Sequence, residues 1–370
     1  MASSAAPADL TVLAVEAVRT RLHAHLAAQR AIIGQVAPEV LRMAADLETY
    51  LEGGKMLRPL FCYWGAVAVL GRAPEGEHAA DIARAGASIE LVQAAALLHD
   101  DVIDHSPARR GRPSMHVAAA DLHRREQLLG SADGFGEAYA IVLGDLSLSW
   151  AEQLFAEIRE DPAGGGRAEF DLLRTEVMAG QFLDILHQSG GFASAGGQEE
   201  AALSVIRWKT VPYTVLRPLR MGAALAGAST AQLALLEQWA LRVGEAFQLR
   251  DDLLSVVGDQ DATGKPIGGD IVEGKRTVVL ARALERADAA GRVALERAVG
   301  DSRADVGAIT AAHDVLVSTG AVRSVREDVE ELTRQAREIL AAADLLSPAG
   351  REGLAQLADA ATDLTTLPRG

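Results

Sequence analysis

Leu97-Leu98-His99-Asp100-Asp101-Val102-Ile103-Asp104 decides how this chain reads. An apolar helical run ends in three carboxylates at positions i, i+1 and i+4. Residues four apart on a helix lie one above the other, so Asp100 and Asp104 face the same way. Like charges at that range repel and need a cation between them. Oxygen-only ligands select a hard ion, and open carboxylates that meet a phosphate suit magnesium. A solvated acidic helix end would carry the same letters. The second acidic stretch, Phe247-Gln248-Leu249-Arg250-Asp251-Asp252-Leu253-Leu254, argues against that reading, because it repeats the pattern about 150 residues later and only folding closes such a gap. Its i+4 position is Ser255, so the two sites are unequal.

Basic residues crowd beside the first cluster. Arg109, Arg110 and Arg112 lie in a loop over residues 106–114 and can clamp phosphate oxygens. Lysine is rare: Lys55, Lys209, Lys265 and Lys275 are the four in the chain, against 32 arginines. A bias toward arginine explains the ratio but not the positions, which follow glycine (Gly54-Lys55, Gly264-Lys265, Gly274-Lys275) or precede Thr210. A compact ammonium on a flexible stem meets phosphate as a point charge, so these four read as anion ligands. Around the first of them, Gly53-Gly54-Lys55-Met56-Leu57-Arg58-Pro59 is a glycine turn opening a helix, whose free amides favour an anion. His99 beside Asp100 reads as a structural hydrogen-bonding residue rather than a general base.

The chain has 370 residues and a net charge of −15, which argues against nonspecific nucleic-acid binding. Its single cysteine, Cys62, excludes a disulfide framework and reads as a small core residue. Absence of a long apolar run and of a basic leader predicts a cytoplasmic protein with no membrane span.

Alanine and leucine dominate, and valine and isoleucine fall at helical spacing, so the chain is expected to be all-α, without convincing strands. Residues 1–8 read as a disordered start and 9–370 as one domain, because the charged motifs span residues 53–276 and make chemical sense only together. Two helices are expected over 9–50 with a break at 34–38, then helices near 57–70, 78–104, 136–159, 168–188, 213–228 and 230–257. Pro212 should kink the helix carrying Arg207-Trp208-Lys209-Thr210. Glu176, Gln181 and Asp184 share one helix, and three amphipathic helices follow residue 302. Two acidic clusters that face each other can hold several magnesium ions together with a diphosphate, which then becomes a good leaving group. No motif for a covalent nucleophile is present.

These residues resemble the trans-isoprenyl diphosphate synthases of the polyprenyl synthetase family. The likeness covers about residues 10–366. It rests on Gly53-Gly54-Lys55 to Arg58-Pro59; Leu98 to Asp104 with Arg109-Arg110-Gly111; Gly180-Gln181-Phe182-Leu183-Asp184; Lys209-Thr210; Phe247-Gln248 with Asp251-Asp252; Gly258-Asp259; Gly264-Lys265; and Gly274-Lys275-Arg276-Thr277. The resemblance implies the isoprenoid synthase fold, a bundle of about a dozen helices around a central cavity, as a homodimer. It implies head-to-tail condensation of isopentenyl diphosphate with a dimethylallyl, geranyl or farnesyl diphosphate. Asp100 and Asp104 would bind two magnesium ions and Asp251 a third, with Asp101, Asp252 and Lys209 also in the catalytic set. Arg109, Lys209, Thr210, Gln248, Lys265 and Lys275 would hold the allylic diphosphate. Lys55, Arg58, Gln93 and Arg110 would hold isopentenyl diphosphate. Gln93 departs from the family's histidine and Ser255 from its last aspartate, which puts the second cluster's metal affinity in doubt. Residues four and five before the first aspartate floor the family's chain pocket. Here they are Ala96 and Ala95, with Val92 a turn deeper, so geranylgeranyl diphosphate or a longer product is expected. Two rivals fit less well: a terpene cyclase leaves Lys55, Arg58 and Arg110 without a role, and a non-catalytic partner subunit should lack the first aspartates.

Overall fold

The structure, a computed structural model, describes residues 7–192, 197–257, 269–301, 303–365 and 367. Helix follows helix. α1 (Pro7–Ile33) is joined by a single turn, Pro38–Val40, to α2 (Leu41–Leu51) and then α3 (Leu57–Leu70) and α4 (Gly76–Ile103). Beyond a small hairpin come α5 (Met115–Arg125), α6 (Ala132–Phe155), α7 (Gly165–Gln188) and α8 (Gly197–Val205). Two π-helical turns, Ile206–Thr210 and Pro212–Leu216, lead into α9 (Arg217–Leu225) and α10 (Thr230–Val257). The chain then forms α11 (Gly269–Val272), α12 (Val278–Arg286), α13 (Ala289–Ala298), α14 (Val306–Ser318), α15 (Ala321–Ala341) and α16 (Pro348–Ala361). The all-α expectation holds, and no helix of the described residues is long and apolar enough to cross a membrane.

Two expectations need correcting. Pro7 and Ala8, expected within a disordered start, are helical, because Pro fits a first turn whose missing N–H has no partner to lose. The arginine loop contains β1 (Ala108–Arg109) paired with β2 (Arg112–Pro113). Its two turn residues, Arg110 and Gly111, both have positive φ (53° and 72°). That is the primed turn that matches strand twist, natural for Gly111 and strained for Arg110.

α4 is apolar on nearly every side and runs through the core, packed against α6, α3 and α1. α3 and α9 cross with backbones touching. A Cβ on Gly65 would stand 2.2 Å from Leu219 O, and one on Gly222 would stand 1.7 Å from Cys62 O. Cys62 is fully buried at this crossing, as a small core residue should be. The π-turns have a local cause. Pro212 offers no N–H to Trp208 O and its ring crowds that carbonyl, so the helix widens there instead of breaking.

Candidate active site

α4 delivers Asp100 and Asp101 on its last turn, and Asp104 caps it, its N–H bonded to Asp100 O at 2.8 Å. The three carboxylates do not act alike. Asp101 turns away, is fully buried, and accepts from Arg109 Nε at 2.9 Å and Tyr50 Oη at 3.5 Å. It anchors the hairpin to α4 and α2 rather than joining the open pair. Asp100 accepts from Gln181 Nε2 at 3.0 Å and lies 3.5 Å from Lys209 Nζ and 3.6 Å from an Arg109 Nη. Burial would raise its carboxyl, but Lys209, Lys275 and Arg109 hold it below the ordinary value. Asp104 pairs with Lys275 Nζ at 3.2 Å. Burial pushes its carboxyl up, Lys275 pulls it back, and neighbouring Asp100 adds to the rise, leaving it at about 6.

The second wall stands on α10. Gln248 accepts from Thr210 Oγ1 at 2.8 Å and donates to Asp252 Oδ1 at 2.7 Å. Asp252 is buried, whereas Asp251 is 53 % exposed. Ser255 donates to Asp252 O of its own helix at 2.8 Å and so adds no ligand in place of a carboxylate. The two walls are tied by consecutive residues: Lys209 reaches Asp100, and Thr210 reaches Gln248 on α10. The widened turn that carries them is squeezed between helices. A Cβ on Gly180 would stand 2.6 Å from Lys209 Cα, and one on Gly244 would stand 3.1 Å from Val211 Cα.

The hairpin divides its arginines in the same way. Arg109 enters the aspartate wall, while Arg110 donates to Glu52 O at 3.4 Å, beside the glycine turn. Arg112 is exposed. Arg58, on the first turn of α3, donates to Thr214 Oγ1 at 2.9 Å and lies 4.1 Å over the Tyr213 ring. Met56 enters that helix with φ 52° and no side chain caps it, so its first amides point out unclaimed by a cap. Lys55 is exposed and Gln93 half-buried, one helical turn past Glu90. Lys275 sits in the short linker between Gly274 (φ 77°) and Thr277, which caps α12 by accepting from Leu280 N. Lys265 lies outside the described residues, as do Gly258-Asp259 and Gly264.

Three polar contacts escaped the candidate list drawn from sequence. Asp184 pairs with Lys209 at 2.6 Å, Gln181 with Asp100, and Glu273 with Lys275 at 3.0 Å. Gln181 and Asp184 share a face of α7 at i, i+3, which was a signal available in the sequence. Glu273 had none. His99 points to α6, with Nε2 3.2 Å from Ile141 O and 3.4 Å from Asp145, in keeping with a structural role. On α4, Ala96 and Val92 lie one and two turns beneath Asp100. Ala95 is fully buried between Leu91, whose carbonyl accepts from Ser147 of α6, and His99, which abuts Gly144.

Among the described residues no three potential ligands already surround one point. This donor set suits magnesium, which takes one or two carboxylates and completes its shell with water and phosphate oxygens. Asp104 Oδ2 is buried and already faces one cation, Lys275 Nζ at 3.2 Å, in a place a metal ion would share.

The chain is similar to known proteins over most of its length. Residues 41–316 match the family model described as polyprenyl synthetase. The chain is 30% identical over 336 residues to a short chain isoprenyl diphosphate synthase of Methanothermobacter thermautotrophicus, covering 89% of this chain and 92% of that one. It is 29% identical over 320 residues to a geranylfarnesyl diphosphate synthase of Aeropyrum pernix, covering 85% and 92%. Among solved structures it resembles a geranylgeranyl pyrophosphate synthase of Corynebacterium glutamicum, complexed with isoprenyl diphosphate and magnesium. That likeness has a TM-score of 0.88 at 38% identity, over 94% of this chain and 98% of that one.

Proposed function

We propose a division of labour from one premise: the chain belongs to the polyprenyl synthetase family and is a trans-prenyl diphosphate synthase. The walls around Asp100 and Asp251 hold the allylic diphosphate, and the pocket of Lys55, Arg58, Gln93 and Arg110 holds isopentenyl diphosphate. The observation that carries this is the Lys209-Thr210 pair, bonded to one wall and then the other, with Arg109 and Arg110 parting toward the two pockets.

Asp100 and Asp104 would hold two magnesium ions and Asp251 a third. Bound magnesium supplies Lewis-acid withdrawal of charge from the departing diphosphate. The chain's own cations do the rest. In the structure Lys209, Lys275 and Arg109 neutralise the aspartates. With substrate bound, their ammonium and guanidinium groups turn to phosphate oxygens and offset the charge that grows as the allylic C–O bond breaks. The double bond of isopentenyl diphosphate attacks the allylic carbon. A proton then leaves C2 of the isopentenyl unit for the released diphosphate. Buried Gly180 and Gly244 keep the cationic turn in place, so the groups need no reorganisation as charge moves.

Ala96 beneath Asp100 and Ala95 beside it carry no bulk, with Val92 a turn deeper, which supports a product of geranylgeranyl length or longer. Exposed Ile141 and Val142 on α6 and Met178 and Phe182 on α7 support a homodimer. A cytoplasmic location fits the lone buried thiol. Incubation with magnesium, isopentenyl diphosphate and each short allylic diphosphate, read by mass, tests the reading. The expected result is magnesium-dependent products of geranylgeranyl length or longer; products that stop at farnesyl length sink the length assignment.

A further inference from the structure

Three buried polar atoms without a hydrogen-bond partner gather where α3, α4 and the second π-turn meet: Glu90 Oε1, Arg58 Nε and Tyr213 Oη. Buried polar atoms in folded proteins are nearly always paired, so three together mark a place kept for a guest. Glu90 is 4 % exposed and lies within no ion pair among the described residues, although arginines approach from three elements. Arg19 comes from α1, Arg58 from α3 and Arg110 from the hairpin turn. Gly54 of the glycine turn lies against the same groups. A Cβ on Gly54 would stand 3.6 Å from Glu90 Oε2 and 3.7 Å from an Arg110 Nη.

A carboxylate is an odd wall for an anion pocket. Ionised, it would repel a diphosphate; neutral, it would donate a hydrogen bond to one. Burial pushes the Glu90 carboxyl up, against Arg58, Arg110 and Arg19, to about 7. Among the described residues Tyr213 also faces Glu90, and Asp100 and Arg109 act on Tyr213 from the aspartate wall. Burial, opposed by Arg58 and reinforced by Glu90, holds the Tyr213 phenol up, so it stays neutral.

Resting on the assignment of this pocket to isopentenyl diphosphate, we propose that Glu90 is its proton-linked positioning residue. With the pocket empty, its carboxylate steadies the guanidiniums of Arg58 and Arg110. When a diphosphate takes over as their counter-anion, Glu90 Oε1 accepts one proton from solvent, becomes neutral and donates to the incoming phosphate or to Tyr213 Oη. One O–H bond forms on Glu90, and the hydronium ion or buffer acid that supplies the proton loses its bond to it. Binding of the homoallylic substrate therefore consumes a proton, and binding of the allylic substrate does not draw on this group.

The test is calorimetric titration of the full chain with isopentenyl diphosphate alone, without allylic partner, at pH 8 in two buffers of different ionisation heat. Wild type should take up close to one proton more than Glu90→Gln. In turnover, KM for isopentenyl diphosphate should rise about tenfold per pH unit above pH 8 in wild type, a slope Glu90→Gln loses, while the slope for the allylic substrate is the same in both. Equal proton uptake by both proteins overturns the proposal. Should Glu90→Gln fail to fold, infrared difference spectra of wild type with and without isopentenyl diphosphate decide. A new protonated-carboxyl band that Glu90→Asp shifts supports it, and no such band ends it. The underlying assignment fails separately, if Arg58→Ala and Arg110→Ala leave isopentenyl diphosphate affinity at the wild-type value.

Discussion

The two aspartate pairs begin alike and end differently. In each, the second aspartate is buried and committed to scaffold: Asp101 to Arg109 and Tyr50, Asp252 to Gln248. Adjacent residues on a helix point about 100° apart, so a doublet cannot offer both carboxylates to one ion. The first aspartate of each pair is the more exposed one. There the likeness stops. Asp100 has Asp104 a turn away and three cations against the wall, and its side chain is 15 % exposed. Asp251 is much more open, and Ser255 spends its hydroxyl on its own helix. The first wall is a pre-assembled clamp, and the second sets a more exposed aspartate where no carboxylate follows one turn later.

The largest effect should separate the walls outright. Asp100→Asn or Asp104→Asn should lower kcat about 10³-fold, the scale of losing a principal charge-stabilising group, in assays with labelled isopentenyl diphosphate. Asp251→Asn should cost about tenfold, with a raised magnesium requirement. Equal losses at both walls would erase the distinction drawn here. Gly180→Ala comes next. Its new methyl must displace Lys209, the bridge between walls, and should lower kcat about tenfold with KM for isopentenyl diphosphate little changed. Ser255→Asp should lower the magnesium concentration for half-maximal rate severalfold, making the second wall resemble the first. Smallest is a stability effect in chelator. The Asp104 carboxyl is raised to about 6, so the stability tied to its neutral form is full below the ordinary aspartate range and lost as pH rises through 6. Thermal melts should therefore show Asp104→Asn gaining on wild type between pH 5 and 7. A constant difference across that range would count against the clamp.

Chain length can be read on the same helix. Ala96→Phe and Ala95→Phe should both shorten the product. Ala95 is wedged against α6, so its variant should also lose stability, by about 1–3 kcal/mol, as overpacking does. Unchanged product mass in Ala96→Phe would move the floor elsewhere.

Much of this was legible beforehand, for particular reasons. The helical period placed Asp100 and Asp104 on one face without any tertiary knowledge. The scarcity of lysine marked Lys55, Lys209 and Lys275, and the last two stand at the aspartates. Glu90 drew no notice, because a glutamate in an apolar helix looks ordinary until the arginines that surround it are brought together. Asp101 was grouped with its neighbours because letters do not show which way a side chain turns, and that depends on where Arg109 arrives.

Local physics is short-ranged, and that sets the boundary. Periodicity, caps and proline effects act within a turn or two, so the chain by itself determined an all-α architecture, the helix that ends in aspartates and the disturbance at Pro212. Packing acts between residues far apart in sequence. Only the tertiary structure decided that Lys209 and Thr210 would bridge two walls, that Arg109 and Arg110 would part company, and that Glu90 would be buried among arginines without pairing to any of them.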